Sequence, residues 1–550
     1  MLLRNRVVLP IVLFALAVLA GCGSSNSAPP PTPPPGGSFS NSDLSGTYVF
    51  STSGSDVNGF FFTMAGTIVA NGNGGITGGT IDINDSDTQV SPLIQSFGQA
   101  ISGSSAYYVG VDGRGQIKLL NTLLGTITFD FVLSSKAGGM ITEFDNNGTG
   151  SGSLELQTAT VTQSQLAQGC AFSLSGFDSA SNSVSGAGAF TLGASGSITS
   201  GTGVYDFNDS LILYADQPLT TGSLTVGAGG GSGTAQLSTA LGTLNFDFYV
   251  VDATHLKIIE TDALSSPVLS GDVFQQASMP PGVQVFTLAG EGLVGTSAVP
   301  LVAGGFFGPL SGAGMTINGA EDVNLGGTAS SAQVPFTLQY TNPVNGRSTM
   351  ALAGFAGGPS SLAVYPSTGG LLMVEIDINA LTAGTAYAQS ATALATPPQG
   401  YGLNLSGVNI ANLGLGGSAF EVDDIAEFKT SSSTGPTGLL DENDQGMGTQ
   451  PPQSITNNSV ITADSPASGR GEAQFNSGSS ATLFDIIFYT VDGTNALFIE
   501  NDQTQIAAGA FQLQGGTVSK AAAAQRFVVR PTIVPRAAVR HLRIPAARAK

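Results

Sequence analysis

Apolar and polar residues alternate along most of this chain. "TLNFDFYV" (residues 243–250) puts Leu244, Phe246, Phe248 and Val250 on one face, with Thr243, Asn245, Asp247 and Tyr249 on the other. "TITFDFVL" (126–133) alternates in the same way and turns Phe129 and Phe131 inward. A period of two predicts half-buried antiparallel strands. Outside the N-terminal segment no long stretch has a 3.6-residue apolar period, so the expected class is all-β.

Between residues 45 and 157 the pattern predicts eight strands: "SGTYVFSTS", "FFFTMAGTIVA", "GITGGTIDIN", "FGQAISGSSAYYVG", "GQIKLLN", "TITFDFVL", "GMITEF" and "GSLELQ". The turns between them, such as "NGNGG" and "VDGRG", are rich in Gly, Asn and Asp. Short turns joining successive strands predict an up-and-down meander, and eight strands can close a small barrel. The alternative is a β-sandwich.

The unit recurs. "E-x-D" closes a strand at Glu143/Asp145, Glu260/Asp262, Glu375/Asp377 and Glu500/Asp502, spaced by 117, 115 and 125 residues. "D-x-N" recurs at Asp82/Asn84, Asp206/Asn208, Asp322/Asn324 and Asp441/Asn443, spaced by 124, 116 and 119. Gly-Arg-Gly or a relative holds Arg114, Arg347 and Arg470, with Ser232 at that place in copy two. Each copy ends on a Gln-containing strand. A period of this length suits whole domains. Four tandem antiparallel β domains are expected at 43–158, 168–276, 284–390 and 401–516, joined by linkers of which two carry Pro-Pro.

Charge and the ends add location. Between Cys22 and Ser519 lie seven Lys and Arg against all 37 Asp and Glu, a formal charge of −30. So acidic a body argues against nucleic acid as a partner. Residues 517–550 hold eight Lys and Arg and no acid, and are expected to be a disordered basic tail able to touch anionic lipid or the acidic body. Cys170 is the one cysteine left beside Cys22, so no disulfide staples the body.

Arg4, Arg6, an apolar core "VVLPIVLFALAVLA" and then "LAGC" (19–22) resemble the signal and lipobox of bacterial lipoproteins. The resemblance implies a signal peptide at 1–21, lipidation of Cys22, export and anchoring to the bacterial membrane, at the outer membrane or cell surface. Residues 22–42, rich in Pro and Ser, then read as a tether. Lipobox, tether and "LSGTY…GRG…FDF…E-x-D" copies together resemble tandem-repeat Gly-rich β lipoproteins of soil bacteria. "LSGTYVF" with "ANGNGGITGGT" is similar to the opening strands of avidin-like and lipocalin-like barrels, although the chain has no Trp for a biotin site.

In a meander, "D-x-N" and "E-x-D" finish at the same end and Gly-Arg-Gly falls at the other. The expectation is an acidic rim made of Asp82, Asn84, Glu143, Asp145, Asp206, Asn208, Glu260, Asp262, Asp322, Asn324, Glu375, Asp377, Asp441, Asn443, Glu500 and Asp502. Two readings fit it. Asp and Asn form Asx-turns where strands end, or their oxygens hold a cation such as Ca²⁺. "DENDQG" (441–446) resembles the start of a Ca²⁺ loop, but Pro452 stands where the closing Glu belongs. A Glu–Arg ion pair is disfavoured because the two markers sit at opposite rims. His255 is the lone His of the body, expected solvated at a hairpin turn, and no Gly-x-Ser-x-Gly or zinc spacing occurs. These features predict a non-enzymatic lipoprotein with a binding, adhesive or envelope-structural role and no cofactor beyond a candidate Ca²⁺. Small-ligand binding inside the barrels is the alternative, and a hydrolase the weakest reading.

Overall fold

A computed structural model describes residues 38–515, apart from 88–94, 211, 263–266, 296, 311, 357, 412–418, 449–451, 466 and 479–480. The expected signal peptide, Cys22, most of the tether and the basic tail lie outside the described residues.

The first domain has nine strands: β1 (Ser45–Asp56), β2 (Phe61–Asn71), β3 (Ile76–Asp85), β4 (Ser96–Ala100), β5 (Ala106–Val109), β6 (Arg114–Asn121), β7 (Gly125–Ser135), β8 (Gly138–Phe144) and β9 (Gly148–Leu156). Their order is β4-β3-β2-β1-β9-β8-β7-β6-β5, with all neighbours antiparallel. First and last strands pair, Thr52 opposite Gly152, so the meander curls onto itself as a barrel rather than splitting into a sandwich. The stretch expected as one fourth strand divides instead. A Ser102–Ser105 turn interrupts it, and β4 and β5 go to opposite edges of the sheet. A bridge from Gly75 to Ala106 spans the seam between those edges.

The same circuit recurs in sheets running from Gly169 to Gln275, Gln284 to Ala388 and Gly400 to Leu513. In the third, Ile317–Leu325 pairs with both Ser297–Phe307 and Val334–Tyr340, closing an eight-stranded barrel. The fold is therefore all-β, in four antiparallel domains.

Period-two patterning fills each lumen. Ile127, Phe129, Phe131 and Leu133 of β7 meet Phe50, Phe62, Ile117 and Ile141 inside the first barrel. Leu244, Phe246, Phe248 and Val250 do the same in the second. A void of about 10 Å³ lies among Phe286, Phe336 and Met350 of the third, room for about one water at most and far too little for a ligand.

Part of each outer face is buried too. Val49 and Ala65 of the first domain pack on Tyr249 and Ile259 of the second. Phe274 of the second meets Tyr365 of the third. Val285 and Val302 of the third meet Ile487 and Leu497 of the fourth. Ile425 of the fourth returns to Val132 and Met140 of the first. The four domains thus close a circle of contacts, and strands such as β8, buried along their whole length, serve a lumen on one face and a neighbour on the other.

Candidate functional site: the junctions between domains

The recurring markers meet at these four contacts. Arg347 of the third domain grips Asp206 of the second, Nε to Oδ2 at 2.6 Å and Nη2 to Oδ1 at 2.8 Å, and the Tyr365 hydroxyl donates to the same carboxylate. Arg470 of the fourth holds Asp322 of the third at 2.8 and 3.2 Å, again joined by a tyrosine hydroxyl, that of Tyr489. Arg114 of the first donates to Asp441 of the fourth at 2.9 Å, and here Val132 replaces the tyrosine. Tyr249 donates to Asp82 across the first junction at 2.6 Å, and here Ser232 replaces the arginine.

The Asn of each "D-x-N" caps the strand end that carries the next domain's "E-x-D". Asn84 donates to the Glu260 carbonyl at 2.9 Å and to its carboxyl at 2.7 Å. Asn208 donates to the carbonyl of Ala380 at 3.1 Å. Asn324 reaches the carbonyls of Glu500 and Asp502, and Asn443 those of Glu143 and Gly148. Such amides satisfy carbonyls that a strand leaves behind when pairing ends.

Local chemistry explains the Gly-Arg-Gly spelling. Gly113, Gly346 and Gly469 have φ of +83°, +80° and +74°, which a side chain resists. The glycine after the arginine answers a different need. A Cβ at Gly115, Gly233 or Gly471 would lie 2.4 Å from a ring atom of Phe131, Phe248 or Phe488, each its cross-strand partner. In the third domain the partner is Val364, and Ser348 takes the glycine's place.

The expected rim is therefore not an open one. Asp82, Asn84, Asp206, Asn208, Asp322, Asn324, Asn443 and all four glutamates, Glu143, Glu260, Glu375 and Glu500, are 0 % exposed, and Asp441 is buried with them. The marker Glu and Arg do not pair, as the opposite rims led one to expect, but packing between neighbours brings each Arg to an Asp of the neighbouring domain. Arg pairs with the Asp of "D-x-N", not with the Glu. The second acid of "E-x-D" is half-buried and forms turns, as the Asx reading expects. Asp145, Asp377 and Asp502 each accept the N–H two residues on, and Asp262 accepts the N–H of Asn245. Among the described residues no three His, Cys, Asp or Glu are gathered as ligands of one metal ion would be.

Burial sets the electrostatics. It pushes the Glu260 and Glu375 carboxyls up to about 9, with Asp262 and Asp377 adding to the effect. Glu143 and Glu500 are raised well above the ordinary range by burial, with the neighbouring carboxylates of Asp145 and Asp502 adding to the effect. Asp82, without an arginine, is raised to about 6, chiefly by burial.

His255 corrects a further expectation. It is wholly buried, stacked on Phe274 at 4.4 Å between centroids, with Nε2 2.9 Å from Asp272. Buried Lys257 beside it lies 2.8 Å from Glu155 of the first domain and 3.3 Å from Asp272. Sequence reasoning did not assign the closing glutamines. Gln157, Gln389 and Gln514 each donate to backbone carbonyls of the next domain: Val250 at 2.7 Å, Thr490 at 2.8 Å, and Asp112 and Leu133. Their fixed place at the end of each copy was the available signal.

A cleft of about 560 Å³ opens at one mouth of the fourth domain, among Leu394, Pro436, Ile461, Phe488, Arg470 and the hydroxyl-rich 430–434. Its one charged group, Arg470, is already paired with Asp322, Asp464 and Glu472.

No protein-family model matches this chain, and no curated protein matches it. Its internal copies are the comparison at hand, and they predict a repair. Ser232→Arg gives the first junction the cation that the other three have. Charge-assisted bonds to a buried carboxylate contribute about 1.5–3 kcal/mol, so the variant is expected to unfold at higher urea. Unchanged or lower stability would show that Ser232 does not stand in the arginine's place.

Proposed function

We propose that this chain is an exported, lipid-anchored envelope protein whose four β domains act together as one rigid head with a binding, adhesive or structural role, and that it is not an enzyme. The observation that carries the reading is where the recurring polar residues lie. Asp, Asn, Arg, Tyr and Gln, repeated in most copies, face neighbouring domains across the junctions rather than a shared cleft where chemistry could occur. Under this reading Cys22 carries the anchor, residues 22–42 hold the head off the membrane, and the −30 body leaves nucleic acid out as a partner. The filled lumen of the third barrel favours this over ligand storage inside the barrels. A small-ligand role retains one supporting feature, the cleft at the mouth of the fourth domain.

Cys22→Ala tests the anchor. The variant is expected to lose incorporation of labelled fatty acid and to leave the membrane fraction. Membrane fractionation equal to the parent's would contradict the lipobox reading.

A further inference from the structure

The fourth barrel differs from the others inside its lumen. The middle residue of "D-x-N" points into the barrel, opposite an inward residue of the preceding strand. These pairs are Ile83 with Met64, Phe207 with Gly186, and Val323 with Ala303. In the fourth copy the pair is Glu442 with Asp424. Two residues further on, Asp444 faces the lumen opposite Val422, which belongs to the lumen core together with Ala426 and Leu440. Glu500, opposite the core residue Ile486, joins them from the far side of the first and last strands.

"DENDQG" is strand as far as Asp444 rather than loop. Its acids alternate: Asp441 faces Arg114 of the first domain, while Glu442 and Asp444 face the lumen.

Like-charged residues placed directly across a strand pair repel, and an uncompensated buried charge is costly. Asp424 is 3 % exposed and its Oδ1 has no hydrogen-bond partner among the described residues. The Oδ1 of Asp444 is in the same condition, and wholly buried Glu500 has another carboxylate, Asp502, as its neighbour. Gln453 donates to Glu442, which leaves the cluster's charge unchanged. No Lys or Arg among the described residues faces this lumen. Lys429 and Arg470 sit on the outward positions of their strands, beside the core residues Phe428 and Ala473 in the alternating pattern.

Several buried acids elsewhere in this chain, though not all, are met by nitrogen cations. Arg114, Arg347 and Arg470 meet them at the junctions, and Lys257 does so between Glu155 and Asp272. We propose that the acid cluster of Asp424, Glu442, Asp444 and Glu500 in the fourth barrel is a binding site for a protonated primary amine. An ammonium carries three N–H donors and bridges carboxylates at hydrogen-bond distance, whereas a metal needs oxygens drawn in to about 2.0–2.6 Å. Glu442 and Asp444 are half-buried, so the cluster is reachable from outside the barrel. The amine deepens the binding role proposed above by giving it a ligand class, while the anchor and the junctions stand independently of it.

Burial and mutual repulsion raise Asp424 well above the carboxylate range and Asp444 to about 7. An entering ammonium would favour the ionised forms and expel protons.

The test uses the full chain with 1,4-diaminobutane, tetramethylammonium and Ca²⁺ as probes, at fixed ionic strength and pH 7.5. Diaminobutane is expected to raise the thermal midpoint, and calorimetry in two buffers of different ionisation enthalpy to show proton release. Tetramethylammonium, a cation without N–H donors, should leave the midpoint where salt alone puts it. Asp424→Met with Glu442→Ile restores the first copy's residues, so it should fold. It should weaken diaminobutane binding at least about tenfold, roughly 1.4 kcal/mol. Equal shifts with diaminobutane and tetramethylammonium would overturn the proposal, as would diaminobutane binding undiminished in the variant. A shift with Ca²⁺ but not with diaminobutane would replace the amine with a metal. None of these outcomes bears on the Cys22 anchor.

Discussion

Asp206→Ala is expected to destabilise the protein by about 3–5 kcal/mol, the loss typical of breaking a buried ion pair from one side. The carboxylate accepts two bonds from Arg347, one from Tyr365 and one from the backbone N–H of Asp216. Removing it leaves a guanidinium and a phenol facing each other in a buried seam without an acceptor. The Arg347 side chain keeps 13 % of its exposure, so water recovers part of the loss and the lower end of the range is expected. Asp206→Asn retains an acceptor and should lose less. Urea unfolding reads both. A change under about 0.5 kcal/mol, as at an ordinary surface position, would mean that the junction does not form in solution.

A second large effect is a stability that declines toward alkaline pH. The glutamates Glu143, Glu260, Glu375 and Glu500 have folded-state pKa values above their unfolded ones. Between an ordinary glutamate pKa and its raised folded value, about 9 for Glu260 and Glu375, each is protonated when folded and ionised when unfolded. The unfolded state then binds fewer protons, and stability falls as pH rises. Their contribution is full below about pH 4 and is lost as pH rises through the folded values, about 9 for Glu260 and Glu375.

Glu155 works in the opposite direction. Burial would raise it, but Lys257 and His255 hold it well below its usual range, so its contribution is lost only in acid. The thermal midpoint should therefore peak in mild acid and fall by pH 9, by the equivalent of at least about 3 kcal/mol. Glu143→Gln with Glu500→Gln should flatten the alkaline side, because an amide stays neutral and keeps an N–H donor beside Asp145 and Asp502 at every pH. A parent more stable at pH 9 than at pH 5 would contradict the assignment.

Much of the fold was legible in the sequence, because strand patterning and turn chemistry are local. The alternation at Phe129, Phe131, Phe246 and Phe248 placed four inward rings, and the repeated markers placed four domains. The single fourth strand was not legible in the same way. The residues of β4 and β5 continue one polar-apolar run, and only the Ser102–Ser105 turn and the seam of the barrel separate them.

The markers themselves were found, but their partners were not. Contacts between neighbouring domains join residues such as Arg114 and Asp441, 327 positions apart, and no local pattern reports them. Strand parity placed Arg and acid at opposite ends of one barrel, which is a statement about a single domain. Packing barrels side by side brings one domain's arginine to another's aspartate. His255 was misplaced for a related reason: it opens its strand beside a turn, as a solvated residue would, but a neighbouring domain covers it. In the fourth copy the middle letter of "D-x-N" changes from Ile, Phe or Val to Glu. That change was visible in the sequence, but its inward direction follows only from the register.

The closed circle of four domains is tested most directly at its last junction, which a string of independent barrels would lack. Arg114→Ala, Asp441→Ala and the double variant form a cycle across that junction, read by urea unfolding. The contact at 2.9 Å predicts a coupling energy of about 1–3 kcal/mol between residues of the first and fourth domains. Losses that add to within about 0.3 kcal/mol would mean that the two domains do not meet there, and the circle would be open.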